Sequence, residues 1–296
     1  MAYYSTILVI LAALCWGLSG GIGGVLIDDG WDASVVSLYR GGIGLLFVSV
    51  WLALKPRNSG LASRRLWKWS VLAGLGVAGN FTFYFLSIAE GSVAVAATLM
   101  YCAPVFVYLI SFILRIEQPT PFKWMAIGLV MIGIVLLTQV YRVGSGNVSL
   151  IAMGAGLLAG LSYAAFIFGF KYAAPHGSPQ AILVVTFVIL VLILSIPSHA
   201  GETFAVLQSD RLPLFATLGV LGAGFSFIAY IVGLNDTTPS VASIIAMVEP
   251  VTASLFGVVV LDESLAGMQV LGMALILITV TGLSVYSGRR KKKQVA

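Results

Sequence analysis

PVFVYLISFILRIE at 104–117 and PVTASLFGVVVLDE at 250–263 are the two stretches that decide the fold. Each begins with a proline, places a glutamate thirteen residues later, and lies 146 residues from the other. The same offset gives fourteen identities between 72 and 137, among them Tyr84 with Tyr230. Repetition at a fixed offset indicates a duplicated structural unit.

The repeat reaches the first span of each half with a shifted register. At an offset of 143, Gly-Leu-Ser at 17–19 falls on Gly-Leu-Ser at 160–162, whereas the second and seventh spans show no alignment. Two unrelated apolar stretches that share a Pro and a Glu are the alternative. Because the rarer residues Pro, Glu, Tyr and Phe all match in register, we favour a duplication of five apolar segments.

The composition places the chain in a lipid bilayer. Of its 296 residues, 59% are hydrophobic and 9% are charged, and the mean hydropathy is +1.04, whereas soluble domains carry about 25% charged residues. The apolar runs are continuous, as in membrane-spanning helices, and do not alternate as in a β-barrel. No Lys or Arg precedes the first run, so we interpret it as a span and not as a signal peptide. The ten predicted spans are 3–27, 34–54, 67–89, 93–115, 122–140, 149–172, 179–197, 212–233, 240–262 and 266–286.

Two copies of five helices form an inverted repeat, because with an odd number the second copy starts from the opposite side of the membrane. We therefore predict an all-α membrane protein with ten transmembrane helices. They form two inverted five-helix repeats at 1–140 and 149–288, followed by a basic cytoplasmic tail at 289–296. This architecture is typical of secondary transporters, whose substrate site lies between the halves near the membrane midplane.

The basic residues predict the orientation. The net charge is +5, and with the N-terminus in the cytoplasm thirteen of the sixteen Lys and Arg residues lie on the cytoplasmic side, as the positive-inside rule requires. We expect a multi-pass protein of the bacterial inner (plasma) membrane with both termini in the cytoplasm. The tail at 289–296 would face anionic lipid, and its basic run is too short to indicate a nucleic-acid partner.

Polar groups at membrane depth are costly, so each is a functional candidate. Asn80 and Tyr84 are four residues apart and share a helix face, and at offset 146 they match Ser226 and Tyr230. The alternative role for the aromatic residues is core filling or an interfacial belt. The predicted substrate-binding residues are Trp16, Ser19, Asn80, Tyr84, Tyr101, Ser162, Tyr163, Ser226, Tyr230 and Glu249.

Two charged residues, Arg40 and Glu249, lie well inside predicted spans, whereas the other charges lie near span ends or in loops. Three roles for Glu249 stay open: it binds a substrate ammonium, it titrates a coupled proton, or it pairs with Arg40 as a structural bridge. Arg40 can form that bridge, extend towards the interface, or bind a substrate carboxylate. Proline interrupts helical hydrogen bonding, so Pro104 and Pro250 are the predicted hinges. The first half has Ala103 where the second has Glu249, so this acid acts once.

Glu117 and Glu263 lie just after the fourth and ninth predicted spans, on opposite sides of the membrane. An acid is favoured near the positive end of a helix dipole. We expect each carboxylate to accept hydrogen bonds from the start of the next helix. Gating by these two residues is the alternative.

The chemistry-bearing residues do not indicate an enzyme. Gly-Leu-Ser-Gly-Gly at 17–21 fits G-x-S-x-G, but a nucleophilic serine needs a base within reach. His176 and His199 fall in predicted loops on opposite sides of the membrane. Two His and two Cys show no metal-ligand spacing, and no phosphate-binding loop is present. We predict no catalytic residue, no metal and no cofactor.

The paired Pro–Glu segments at 104–117 and 250–263, with Arg40 early in the second span, resemble the drug/metabolite transporter superfamily. The similar branch has ten helices and two EamA domains, and the resemblance covers essentially the whole chain. It implies a central cavity surrounded by helices 1–4 and 6–9, with helices 5 and 10 outside. The chain as a whole is most similar to bacterial exporters of aromatic and other neutral amino acids.

We therefore predict a carrier that exports small amphipathic metabolites, namely aromatic or neutral amino acids, by alternating access. Its partners would be the small-molecule substrate, the lipid bilayer and, as an open alternative, a proton; the sequence does not indicate an oligomeric state. A nucleotide-sugar, sugar-phosphate or drug carrier on the same fold is the rival within this class. A membrane protein that transports nothing is the rival outside it.

Overall fold

The backbone consists of helices joined by turns. The computed structural model describes residues 2–56, 58–143 and 149–295, and no strand occurs in these ranges, as the all-α prediction requires. The predicted tail at 289–296 continues the last helix, Gly267–Val295, as far as Val295. The side chains of the tail and its final residue lie outside the described part.

Nine helical segments of the described ranges are long and apolar enough to cross a membrane. They are Tyr4–Asp28, Ala33–Leu54, Arg64–Ala89, Val93–Ile113, Pro121–Thr138, Leu150–His176, Leu212–Leu234, Pro239–Val260 and Gly267–Tyr286. Pro179–Leu194 is a shorter apolar helix of 16 residues at the place predicted for the seventh span. We count it as the seventh and number the spans first to tenth in chain order.

Short polar side chains fix where most of these helices begin. Each accepts a hydrogen bond from a backbone amide in the first turn, which satisfies a donor without an intrahelical partner. The second to seventh spans have such a cap, and the capping residues in chain order are Asp32, Ser63, Ser92, Thr120, Ser149 and Ser178. Pro121 and Pro179 follow two of these caps, at a position where a missing amide hydrogen costs nothing.

The fourth and ninth spans are each broken just before their proline. The fourth consists of Val93–Met100 and Ala103–Ile113, and the ninth of Pro239–Ile245 and Val248–Val260. A proline cannot donate to the carbonyl four residues earlier. At the ninth span the Glu249 amide donates to the Ala246 carbonyl over 2.9 Å instead. The breaks lie beside the predicted hinges Pro104 and Pro250, while hinge motion stays a prediction.

Two local features differ from the sequence prediction. The eighth span consists of Leu212–Gly219 and Ser226–Leu234, separated by a π-helical stretch at Val220–Phe225. The segment 198–211, predicted as a loop, contains a short helix at Ala200–Val206. A three-residue 3₁₀ helix follows the fifth span at Val140–Arg142, and another forms the end of the sixth at Ala174–His176.

Glycine contacts show that the two halves pack in the same way. Gly76 of the third span lies against Ser162 of the sixth, and its repeat counterpart Gly222 lies against Ser19 of the first. The two serines are themselves counterparts at the offset of 143. Exchanging the halves turns one contact into the other, as expected for an inverted duplication. The larger elements agree, because the third span packs on the sixth and the eighth packs on the first.

The fifth and tenth spans pack against each other. Gly133 and Gly272 lie at this contact, where each leaves room for the other's backbone carbonyl. Farther along, the rings of Phe122 and Tyr286 stack with centroids 4.2 Å apart. The other eight spans are thereby left to form the body in which the candidate site lies.

Candidate substrate site

A cavity of about 450 Å³ lies between the two halves. Its walls come from the first four spans and from the sixth, eighth and ninth; none of its lining residues belongs to the fifth, seventh or tenth. It extends from Glu249, beside the break in the ninth span, to Asp28 and Val93 at the ends of their helices. We call the end at Asp28 and Val93 the open end. It lies on the side of the molecule opposite to the beginning of the first helix.

Polar contacts tie the rim of the open end together. The Asp32 amide donates to Glu202 over 2.6 Å, and Arg211 pairs with Asp29 over 2.9 Å. These contacts join the loop after the first span to the segment that carries the unpredicted short helix. A hydrogen bond from Ser34 to the Asp32 carboxylate lowers the pKa of Asp32.

Glu249 lies at the inner end of the cavity because the helix break brings it there. It falls in the first turn of Val248–Val260, which restarts the ninth span after the break. The Tyr163 hydroxyl of the sixth span donates to its carboxylate over 3.4 Å. Glu249 is therefore held by one long hydrogen bond and faces space that a ligand can occupy.

Arg40 faces the same cavity from the second span and is held by the π-helical stretch of the eighth. Its Nε and Nη2 donate to the Gly222 carbonyl over 3.3 and 3.0 Å. Its guanidinium lies 5.3 Å from the ring centroid of Phe81. π-Helical turns are rare and occur often at functional sites. Within the described ranges Arg40 and Glu249 form no ion pair with each other, so the structural bridge that the sequence left open is not formed.

Most of the predicted site residues line this one cavity. The residues that do so are Trp16, Ser19, Arg40, Asn80, Tyr84, Tyr101, Tyr163 and Glu249. Asn80 also ties the third span to the sixth, because its side-chain amide donates to the Ala159 carbonyl over 3.0 Å. Sequence reasoning missed the aromatic walls formed by Phe81, Phe85, Phe166 and Phe227. Their spacing in the sequence does not distinguish a cavity wall from a packed core.

Three of the predicted residues lie outside the cavity wall. Ser162 packs against Gly76 and Gly79 at the contact between the third and sixth spans. The Ser226 hydroxyl donates to the Gly222 carbonyl of its own span over 2.8 Å. Tyr230 is fully buried beneath the cavity.

Aromatic rings close the inner end of the cavity. The Trp16 ring lies 4.9 Å from Tyr230 and 5.1 Å from Phe227, measured between centroids. Tyr163 and Phe166 meet Trp16 edge-on at 6.5 and 6.3 Å. In the described part of the chain, the Trp16 indole nitrogen and the Tyr230 hydroxyl have no hydrogen-bond partner. We call these five residues the aromatic floor.

Comparison with known proteins assigns the family. The model of the EamA-like transporter family matches the chain twice, at residues 4–139 and 150–285. The chain belongs to the EamA-like transporter family. This EamA-family protein is therefore an integral membrane transporter of small molecules and not an enzyme, as the sequence predicted.

Individual relatives are distant but cover most of the chain. The uncharacterized transporter YwfM of Bacillus subtilis is 25% identical over 300 residues, which cover 98% of this chain and 96% of YwfM. An uncharacterized transporter of Archaeoglobus fulgidus is 30% identical over 93% of this chain and 94% of its own. The threonine/homoserine exporter RhtA of Salmonella typhimurium is 26% identical over an alignment that covers 71% of this chain and 68% of RhtA.

A solved structure supports the fold of this EamA-family protein. A crystal structure with 18% sequence identity covers 96% of this chain and 98% of its own at a TM-score of 0.76. At this identity the likeness concerns the fold alone.

In a transporter, a cavity that is open at one end and closed by aromatic rings at the other gives access from one side of the membrane.

Proposed function

We propose that this protein is a secondary transporter of the bacterial inner membrane that exports small zwitterionic metabolites, namely aromatic or other neutral amino acids. The observation that carries the proposal is the placement of Arg40 and Glu249 in one cavity without an ion pair between them. A charge at membrane depth is costly unless it is solvated or paired. A ligand with a carboxylate and an ammonium group supplies a partner for each.

The geometry of Arg40 suits a carboxylate. Two of its nitrogens bond the Gly222 carbonyl and orient the guanidinium, while Nη1 has no hydrogen-bond partner among the described residues. Arginine binds carboxylates through directed, charge-assisted hydrogen bonds. In this proposal Arg40 binds the substrate carboxylate and Glu249 binds the substrate ammonium, with Tyr163 holding the Glu249 carboxylate in place.

The walls suit an apolar side chain on such a substrate. Tyr84, Tyr101, Phe81 and Phe85 face the cavity, and ligand pockets are typically lined by aromatic groups around a few polar anchors. The volume of about 450 Å³ falls in the range of small-molecule sites. One arginine beside one glutamate is a poor match for a multiply charged nucleotide sugar or sugar phosphate.

The names of two relatives support the proposed direction and location. RhtA is by name an exporter of threonine and homoserine, and YicL of Salmonella typhimurium, 27% identical to this chain, is by name an inner membrane transporter. Export and the inner membrane are carried over from these names as part of the proposal. Cytoplasmic termini, from the positive-inside rule, would make the open end face the outside of the cell.

Counterflow into proteoliposomes tests the proposal. The purified protein is reconstituted with unlabelled phenylalanine, threonine or a nucleotide sugar inside, and uptake of the same labelled compound is measured with and without a pH gradient. We expect counterflow of the amino acids at equal pH and none of the nucleotide sugar. Counterflow that needs the gradient would instead make Glu249 the leading proton site. Counterflow of the nucleotide sugar alone would contradict the proposal.

A further inference from the structure

The closed end, opposite to the cavity mouth, is bridged by a polar contact between the two halves. Glu117, in the turn after the fourth span, reaches Ser240 at the start of the ninth. Its carboxylate accepts hydrogen bonds from the Ser240 amide at 3.2 Å and from the Ser240 hydroxyl at 2.5 Å. It also pairs with Lys123 of the fifth span. The side chains of Glu117 and Lys123 are only 5% and 11% exposed. We call these three residues the Glu117 latch.

This contact corrects the expectation for Glu117. The sequence predicted an acceptor for the start of the next helix, and Lys123 of that helix does pair with it. The backbone amide that donates a hydrogen bond to Glu117, however, is that of Ser240 in the ninth span, which belongs to the other half. Distant chain segments meet here, so local sequence could not predict the partner.

The counterpart glutamate at the open end has no such role in this structure. The backbone is the same in both places: the Glu117 amide donates to the Ser111 carbonyl at 3.3 Å, and the Glu263 amide donates to Gly257 at 3.1 Å. Glu263 is nevertheless exposed, and its carboxylate lies over Gly257 of its own helix. The two glutamates thus differ in the partner that reaches them and not in their local fold.

The positions of the helices explain this difference. At the closed end the second half of the fourth span, Ala103–Ile113, packs on the first half of the ninth, Pro239–Ile245. At the open end the equivalent halves face the cavity, and Val93 and Ala253 are among its lining residues. Closing the open end would bring the start of the fourth span to Glu263, because inverted repeats exchange roles between the two access states.

The latch that would then form around Glu263 lacks two of the three side chains that make up the Glu117 latch. At the offset of 146, Ser240 corresponds to Ala94 and Lys123 corresponds to Gln269. The second latch has no hydroxyl donor and no ammonium, so Glu263 would meet backbone amides and a neutral side chain. Hydrogen bonds from backbone amides to the Glu263 carboxylate would be charge-assisted too, but the contacts with a hydroxyl and an ammonium would be missing, so the two latches are unequal.

A second contact at the closed end is unequal in the same direction. Lys171 donates to three carbonyls at the end of the eighth span, those of Leu234, Asn235 and Thr237, at 2.5, 3.0 and 3.1 Å. A cation is favoured at the negative end of a helix dipole. At the offset of 143, the counterpart of Lys171 is Asp28 at the cavity mouth. An anion there would be repelled by the carbonyls at the end of the third span.

We infer that Glu117, Lys123 and Ser240 act as a latch that holds the closed end shut and makes the state with the open cavity the resting state of the empty transporter. The inference concerns the conformational equilibrium and is independent of which substrate is carried. Binding of the substrate, or the substrate gradient, must then supply the free energy that breaks the Glu117 contacts in each transport cycle.

Cysteine labelling of the empty transporter in membranes tests the latch. In a background with Cys15→Ala and Cys102→Ala, one reporter is Ser37→Cys, which lines the present cavity. The other is Ser226→Cys, which is buried here and, as the counterpart of Asn80, would line the opposite cavity. Labelling rates with a membrane-impermeant maleimide are measured from each side for the unaltered latch, Glu117→Gln and Ser240→Ala. Glu263→Gln is the matched control at the other end.

The two reporters should respond in opposite directions. We expect Glu117→Gln to speed labelling at position 226 by about tenfold and to slow labelling at position 37, since losing a hydrogen bond to a charged group shifts the equilibrium between the two access states by about that factor. Ser240→Ala should act in the same direction, and Glu263→Gln should not. Unchanged rates at both positions in Glu117→Gln would overturn the inference.

A gain-of-contact variant guards against simple misfolding. Ala94→Ser combined with Gln269→Lys gives the open end the groups of the Glu117 latch. We expect faster labelling at position 226 and slower labelling at position 37, a result that loss of folding cannot produce because it would expose both positions. Rates equal to those of the unaltered protein would contradict the latch even where Glu117→Gln cannot be purified. Substrate is absent throughout, so failure of the amino-acid proposal leaves this test intact.

Discussion

At the residue scale, Arg40 and Glu249 define the proposed chemistry. Each is placed by an irregularity of the backbone: Glu249 by the break before Pro250, and Arg40 by the π-helical stretch that offers the Gly222 carbonyl. The sequence predicted both charges at membrane depth but not their relation. Their relation depends on two helices of different halves, whose approach no local pattern encodes.

Removing the Arg40 guanidinium should weaken transport of substrates that carry a carboxylate. We expect Arg40→Gln to lower apparent amino-acid affinity by about tenfold to a hundredfold, since charge-assisted hydrogen bonds contribute about 1.5–3 kcal/mol. Arg40→Lys should restore only part of it, because an ammonium lacks the planar fork. Initial counterflow rates over a range of substrate concentrations measure this. Arg65→Gln, outside the cavity, is the control, and wild-type affinity in Arg40→Gln would remove Arg40 from the site.

Replacing Tyr230 with phenylalanine should stabilise the protein but slow transport. The Tyr230 hydroxyl is buried without a partner in the described structure, which costs about 1–3 kcal/mol. Its repeat counterpart Tyr84 lines the present cavity. We expect Tyr230 to line the cavity of the opposite state, where its hydroxyl gains a partner. Tyr230→Phe should therefore raise the unfolding temperature and slow counterflow.

Tyr84→Phe is the comparison for that experiment, because Tyr84 already lines the present cavity. It should slow counterflow without raising the unfolding temperature. A Tyr230→Phe variant that is both more stable and fully active would show that this hydroxyl has no role in the transport cycle.

At the element scale, the sequence predicted the positions of the helices well and their interruptions less well. The ten predicted spans follow from the continuous apolar runs, and the breaks lie beside the prolines as the chemistry of proline requires. The π-helical stretch Val220–Phe225 and the helix Ala200–Val206 were missed. The π-helical carbonyl of Gly222 is satisfied by Arg40 of another helix, so this irregularity depends on tertiary structure.

Glycine controls how closely the third and sixth spans approach. A Cβ at Gly76 would meet the Phe166 amide and the Ser162 carbonyl, and backbone cannot move aside as a side-chain tip can. We expect Gly76→Ala to destabilise the protein by about 1–3 kcal/mol, as overpacking does. Gly42, also helical, has nothing within contact distance.

Gly42→Ala is the matched control, and it should leave stability unchanged or raise it by up to about 1 kcal/mol through helix propensity. Thermal unfolding in detergent compares the two variants. Equal stability of both would contradict the close contact between the third and sixth spans.

At the scale of the whole molecule, the inverted duplication and the cavity between the halves belong together. The reciprocal contacts Gly76–Ser162 and Gly222–Ser19 show that the halves are packed alike, yet in the described part of the chain the cavity between them extends towards one end of the molecule. A symmetric pair of halves in an asymmetric arrangement implies a second arrangement with the other end open. The sequence predicted the duplication from Pro, Glu and Tyr in register; it could not predict which end is open, since that depends on contacts such as Glu117 with Ser240.

The account rests on recognition of a zwitterion between Arg40 and Glu249, and competition in counterflow tests this most directly. Proteoliposomes exchange labelled phenylalanine at equal pH while one of two analogues competes, phenethylamine without the carboxylate or phenylpropionate without the amine. The account predicts that unlabelled phenylalanine competes at least about tenfold better than either analogue, because each lacks one charge-assisted contact. It also predicts that Arg40→Gln removes the advantage of phenylalanine over phenethylamine. Equal competition by all three compounds, or no counterflow of phenylalanine, would contradict it.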